Sequence, residues 1–224
     1  MENIFVFLFN SIIVSTIICA AARLSNSVSL KIQRSFCFYC DHNLAWFDII
    51  PVISACVLRN KCRYCHAHFG HYYAIFELSY ILIGTLLWAT PVTWITGVLL
   101  LFLSLEDCSK QSIHANILFP WIGYLLILHH DAAHLCLTVL ILILSIILVK
   151  HRHTLGSGDI PVLLSLVLSN TPVIFSCTLL ISCCLALLYL LYSQQIYSQQ
   201  KRLPFVPFLS GGWVITNLYI LFLL

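Results

Sequence analysis

The run IFVFLFNSIIVSTIICAAA, residues 4–22, is the stretch that decides the class of fold. It contains no charged residue, and its length is close to the roughly 20 apolar residues that a helix needs to cross a bilayer. No basic residue precedes it, as the pattern of a cleaved signal peptide would require. We therefore interpret the run as a first membrane span.

The composition extends this interpretation to the whole chain. Of the 224 residues, 61% are hydrophobic and only 8% are charged, whereas a soluble domain carries roughly a quarter of charged residues. A soluble globular protein is therefore excluded, and most of the chain is predicted to lie in the bilayer. The predicted spans cover residues 4–22, 72–89, 92–105, 113–128, 135–149, 160–168, 173–192 and 205–224.

The positions of the eleven lysine and arginine residues predict the orientation. Cytoplasmic loops of membrane proteins collect basic residues, and eight crossings place all eleven on one side. The opposite connections, residues 90–91, 129–134 and 169–172, contain none. The sequence thus predicts an all-α polytopic membrane protein with about eight transmembrane helices. We divide it into a first span (1–22), a cytoplasmic cysteine-rich insert (23–71) and a membrane domain (72–224).

The polar insert carries two C-x-x-C pairs, Cys37 with Cys40 and Cys62 with Cys65. Four thiolates presented in this way suit a tetrahedral structural zinc ion. Disulfides are disfavoured on the cytoplasmic side, and a small insert with few large apolar groups gains stability from a metal. The pattern predicts a zinc knuckle, and unmetallated thiols in a loop are the alternative.

Acidic residues at the membrane spans indicate function, because an ionisable group there is energetically costly. Asp107 ends the third predicted span and Asp159 begins the sixth, both on the cytoplasmic side. Two adjacent carboxylates share one proton, so that one activates water while the other polarises a peptide carbonyl. From topology alone, an alternative has equal weight: both aspartates are solvated helix caps, and Asp159 caps its own helix. We interpret Glu106, beside Asp107, as reaching the membrane interface; the alternative is that Glu106 tunes Asp107 electrostatically.

The sequence before Asp159 favours the peptidase interpretation. In Gly156-Ser157-Gly158-Asp159 two glycines permit close backbone packing where a substrate strand would lie. The glycine pair is informative here because it stands at the start of a predicted membrane span. We expect Gly156 and Gly158 to support the catalytic loop.

Taken in order, these motifs resemble those of the type IV prepilin leader peptidases, which are Gly-x-Gly-Asp membrane aspartic proteases. The similarity covers most of the chain. Asp107 and Asp159 match the two catalytic motifs, and Glu77 stands where the family has a glutamate in its second span. The other matching stretches are RSFCFYC at residues 34–40, LAWFDIIP at 44–51, LRNKCRYC at 58–65 and LPFVPFL at 203–209.

The resemblance implies an aspartic endopeptidase of the bacterial plasma membrane, with its active site facing the cytoplasm. Such enzymes remove the basic leader peptide from type IV prepilins or pseudopilins, cutting after a glycine. Many also N-methylate the new N-terminus with S-adenosylmethionine, which would place Glu77 near a methyl-transfer site. The implied partners are these substrates and the lipid bilayer, with no nucleic acid bound directly.

The chain also departs from the family pattern. Pro161 stands where lysine is common, and Ile113-His114-Ala115 replaces isoleucine-proline-aspartate. The glycine and asparagine of the family's first span align roughly with Val14 and Ile18. This divergence resembles the competence-type enzymes of Gram-positive bacteria. The alternative from another class is a non-enzymatic membrane scaffold or small ion-coupled transporter with a zinc-stabilised cytoplasmic knuckle.

Overall fold

The computed structural model describes residues 2–31, 34–50, 53–68, 71–128, 131–152, 156–196 and 203–223. Within these ranges the protein is all-helical, as predicted, with two isolated β-bridges and no strand. The chain divides into two compact units, Met1–Thr90 and Pro91–Leu224. The α-helices are α1 Glu2–Ser25, α2 Ile53–Val57, α3 His71–Leu86, α4 Pro91–Lys110, α5 Leu118–Leu128, α6 Ala132–Ile147, α7 Asp159–Ser169, α8 Pro172–Ile196 and α9 Val206–Leu223.

The apolar helices of the structure fall at the predicted membrane spans. Three of them are long and apolar enough to cross a bilayer, namely Ile4–Ser25, Pro91–Lys110 and Pro172–Tyr192. The other apolar helices of the described ranges are shorter, with 10–17 residues each. The protein is therefore a membrane protein, and the number of eight crossings stays a prediction.

In the first unit, α1 packs against α3 through a buried polar contact. Asn10 is fully buried, and its amide Nδ2 donates hydrogen bonds to the carbonyl oxygens of Tyr80 at 3.2 Å and Ile81 at 2.8 Å. Gly84 makes room for this side chain, since a Cβ there would lie 2.6 Å from Asn10 Nδ2. An apolar helix pair buries a polar group only when it is hydrogen-bonded, so this contact fixes the register of the two helices.

The insert between α1 and α3 contains two turns with the same backbone pattern. In the first, the N–H of Asp41 donates to the carbonyl of Cys37, and in the second the N–H of His66 donates to that of Cys62. Asp41 and His66 both have positive φ, 55° and 56°. A β-bridge closes each turn, Phe36 with Asn43 and Lys61 with His68. The two C-x-x-C pairs therefore form equivalent knuckles.

In the second unit, small residues allow α4, α8 and α9 to pack closely. Gly97 of α4 lies against the ring of the buried Trp213 of α9, where a Cβ would come within 2.5 Å of the indole. Gly212 of α9 packs against α8, since a Cβ there would lie 2.7 Å from the carbonyl oxygen of Thr178. Such small-residue contacts are typical of membrane helix pairs. Helix α7 is short but largely buried, and Pro161 fits in its first turn, where no backbone N–H is required.

Candidate active site and metal site

Asp107 lies near the C-terminal end of α4 and is 8% exposed. Its Oδ2 accepts a hydrogen bond from the backbone N–H of Val206 at 3.0 Å, and the N–H of Phe205 also donates to the carboxylate. These amides stand at the start of α9, where backbone N–H groups have no intrahelical acceptor. Asp107 thus caps another helix, which holds its side chain in one position.

Asp159 is the first residue of α7, and its carboxylate binds the loop that precedes the helix. Its Oδ2 accepts a hydrogen bond from the N–H of Gly156 at 3.1 Å, while its own N–H donates to the Gly156 carbonyl at 3.1 Å. The N-cap position of α7 is Gly158, without a side-chain capping bond. The alternative in which Asp159 caps its own helix is therefore wrong.

Both aspartates line one cavity of about 1240 Å³ within the second unit. Gly156 and Gly158 line the same cavity. A Cβ at Gly156 would stand 3.1 Å from Asp159 Oδ2, so glycine gives the carboxylate its space. All four residues predicted for the catalytic site are brought together here.

Glu106 does not reach the membrane interface, contrary to our interpretation of the sequence. It is 2% exposed, and its carboxylate binds His114 twice. Oε2 accepts the backbone N–H of His114 at 3.0 Å, and Oε1 lies 2.8 Å from the ring nitrogen Nδ1. A buried carboxylate requires such partners. The sequence signal for this contact is only a glutamate eight positions before a histidine, which is too weak to predict it.

The four cysteines of the knuckles form one cluster. The Sγ atoms of Cys37, Cys40, Cys62 and Cys65 all lie within 4.8 Å of one another, and those of Cys37 and Cys65 are 3.8 Å apart. Tetrahedral zinc with Zn–S bonds of about 2.3 Å requires sulfur atoms roughly 3.8 Å apart. The donor set therefore fits a tetrahedral zinc ion. Cys56 is exposed and lies outside the cluster.

The thiols of the cluster differ in acidity. Burial raises the pKa of Cys37. Burial also acts to raise the pKa of Cys62, but hydrogen bonds from the backbone N–H groups of Cys65 and Tyr64 and with the thiols of Cys37 and Cys65 together outweigh it, and the pKa falls to about 7. A thiol that loses its proton near neutral pH favours metal binding, because the ligand must be deprotonated.

Glu77 lines a separate cavity of about 240 Å³ inside the first unit. Residues of α1 and of the insert complete its walls, among them Arg23 and Asp48. Asp48 is buried, and its Oδ1 accepts a hydrogen bond from Arg63 Nε at 2.9 Å. Its Oδ2 is buried without a hydrogen-bond partner among the described residues. The cavity therefore combines apolar walls with two acidic residues and two basic residues, Arg23 and Lys61.

Comparison with known proteins identifies relatives of this chain. Residues 8–90 match the family model described as Bacterial Peptidase A24 N-terminal domain. Two relatives, from Stutzerimonas stutzeri and Vibrio cholerae, are each named prepilin leader peptidase/N-methyltransferase and are each 30% identical to the chain over 107 and 114 residues. These regions are 44% and 45% of the chain. The matches confirm the resemblance that the motifs indicate.

The coverage of these relatives is partial. The chain spans 37% of the Stutzerimonas protein and 44% of the Vibrio protein. A protein of Escherichia coli, named type 4 prepilin-like proteins leader peptide-processing enzyme, is 26% identical over 85% of the chain and 77% of its own length. No solved structure matches the chain.

Proposed function

We propose that the protein is a membrane aspartic endopeptidase that removes the leader peptide of type IV prepilins or pseudopilins. The observation that carries the proposal is that Asp107 and Asp159, from distant parts of the chain, line the same cavity. The names of the relatives support the same activity and do not favour the scaffold or transporter alternative.

The reaction follows from two carboxylates that share one proton. The ionised carboxylate takes a proton from a water molecule, whose oxygen attacks the peptide carbonyl carbon. The protonated carboxylate donates a hydrogen bond to the carbonyl oxygen as negative charge develops there. The tetrahedral intermediate then breaks the C–N bond, and the leaving amine receives the proton taken from the water. The products are the leader, ending in a carboxylate, and the mature protein with a free amine.

The orientation of the substrate follows from the predicted topology. Eight crossings place Asp107 and Asp159 at the cytoplasmic membrane face, together with the basic loops. The apolar stem of a prepilin then lies in the bilayer while its basic leader remains in the cytoplasm. The cavity around the two aspartates is large enough for a stretch of peptide, since pockets for small molecules hold about 300–1,000 Å³.

The test of the peptidase function is co-expression of the full chain with a prepilin and measurement of leader loss. We expect Asp107→Asn and Asp159→Asn each to reduce cleavage by about 10³-fold or more, because each removes an acid–base group. Asp131→Asn is the matched control, since Asp131 is exposed and makes no side-chain capping bond. Normal cleavage by either active-site variant would disprove the proposal.

We assign zinc a structural role in the insert. Cys37, Cys40, Cys62 and Cys65 would hold the ion, which joins the two knuckles and replaces part of a hydrophobic core. The ion takes no part in the cleavage.

A second activity, N-methylation of the new N-terminus, is supported by the cavity at Glu77. S-adenosylmethionine carries a positive sulfonium and a carboxylate, and the cavity has groups of both signs beside its apolar walls, the carboxylates of Glu77 and Asp48 and the basic side chains of Arg23 and Lys61. At about 240 Å³ the cavity accommodates part of this donor. We expect Glu77→Gln to leave cleavage intact and to abolish the methyl mass on the processed N-terminus, measured by mass spectrometry. Unchanged methylation would remove Glu77 from that role.

A further inference from the structure

We propose that Glu106 and His114 form a positioning pair that holds Asp159 in place beside Asp107. Glu106 is buried behind the cavity wall, whereas His114 lines the cavity that holds both aspartates; the role we assign to the pair is positioning, not a step of the reaction. The proposal rests on the proposed peptidase function, because it concerns the geometry of the same two carboxylates.

The first step is the attachment of the loop after α4 to the helix itself. Glu106 directly precedes Asp107, and its side chain is 3% exposed, whereas that of His114 is 67% exposed. The carboxylate binds both the backbone N–H and the ring Nδ1 of His114, at 3.0 and 2.8 Å. Two bonds to one residue fix the backbone and the side chain together. The loop position is therefore set by the residue adjacent to the first aspartate.

The second step is the contact between this loop and the turn that carries Asp159. Ile113, next to His114, packs directly on Gly158, where a Cβ would lie 2.7 Å from Ile113 Cγ1. Gly158 is the N-cap of α7, and Asp159 follows it. Because the isoleucine side chain fills the space over the glycine, a shift of the loop shifts the turn. The contacts thus run from Glu106 through His114, Ile113 and Gly158 to Asp159.

The position of the Asp159 carboxylate is critical for the rate. A displacement of about 1 Å in a catalytic group lowers the rate by as much as 10²-fold.

The test measures cleavage by the full-length enzyme in lipid vesicles, with a prepilin-like peptide that has a basic leader ending in glycine and an apolar stem. We expect Glu106→Ala and His114→Ala each to lower kcat by about tenfold to a hundredfold while KM changes less than about threefold. The double variant should be no slower than Glu106→Ala alone, because Glu106→Ala already removes the side-chain bond that His114→Ala removes. His114→Asn should restore most of the activity, since its amide N–H replaces Nδ1–H.

The control is His134→Ala. His134 Nε2 lies 3.1 Å from the carbonyl of Asn170, at the end of α7 opposite to Asp159, and we expect near wild-type kcat. Additive losses, or His114→Asn as slow as His114→Ala, would overturn the positioning role. Wild-type kcat in Glu106→Ala and His114→Ala would also overturn the positioning role. The peptidase proposal would still hold in that case, provided that Asp159→Asn is inactive. If Glu106→Ala does not fold, the comparison of His114→Ala with His114→Asn decides the question.

Discussion

Asp107 Oδ2 accepts a hydrogen bond of 3.0 Å from the backbone N–H of Val206, a residue 99 positions further along the chain. The bond joins the C-terminal end of α4 to the first residue of α9. It satisfies an N–H that the helix itself leaves without an acceptor, and it directs the carboxylate of Asp107. Its removal is therefore a specific test of how the site is assembled.

Val206→Pro removes this donor, and proline is tolerated at the first position of a helix. We expect the variant to fold and to lose about tenfold to a hundredfold in cleavage rate, because the Asp107 carboxylate loses one of its two backbone donors and is held less firmly. Val206→Ala keeps the N–H and shortens the buried side chain, so it serves as the control with a smaller loss. Equal rates for the two variants would show that the backbone bond does not matter for activity.

Gly158→Ala introduces a Cβ that would stand 2.7 Å from Ile113 Cγ1 and 3.0 Å from its Cδ1. The clash displaces the turn before Asp159, and we expect cleavage to fall by about tenfold or more. Adding Ile113→Ala removes both clashing atoms, so the double variant should cleave faster than Gly158→Ala alone. Gly123→Ala is the control, because nothing lies within 4 Å of a Cβ there. A double variant as slow as Gly158→Ala would argue against the contact.

Cys62→Ser tests the metal site. We expect about one zinc per chain in the purified protein, falling to well under half of that in the variant, because a hydroxyl is a poor substitute for a thiolate ligand. Cys56→Ser is the matched control, since Cys56 lies outside the four-cysteine cluster. Metal content is measured by elemental mass spectrometry. Full zinc content in Cys62→Ser, or none in the unchanged protein, would contradict the assignment.

Asn10→Ala removes both hydrogen bonds between α1 and α3. We expect a loss of about 1–2 kcal/mol in stability, because the bonded groups lie in an apolar helix interface. Asn26→Ala removes a comparable bond, to the carbonyl of Ala22 at 2.8 Å, at an exposed site, and should change stability by less than about 0.5 kcal/mol. Thermal unfolding in detergent micelles measures both variants. Equal effects would mean that burial of Asn10 adds nothing.

The sequence predicted the surroundings of Glu106 incorrectly. Glu106 was expected at the membrane interface, yet it is buried and its carboxylate binds His114. This contact crosses a turn, and a single sequence contains no spacing rule that would predict it.

The sequence by itself determined the helices and the knuckles, because their causes are local. Apolar runs of membrane length form helices, since lipid offers no partner for backbone N–H and C=O groups, and a C-x-x-C pair closes one turn with its own neighbours. Only the tertiary structure decided that Asp107 meets Asp159, that Val206 holds the first carboxylate and that Ile113 packs over Gly158. Those positions depend on how the helices pack. Packing is set by the fit between side chains of segments that lie far apart in the sequence, and the sequence pattern of one segment does not show which other segment it contacts.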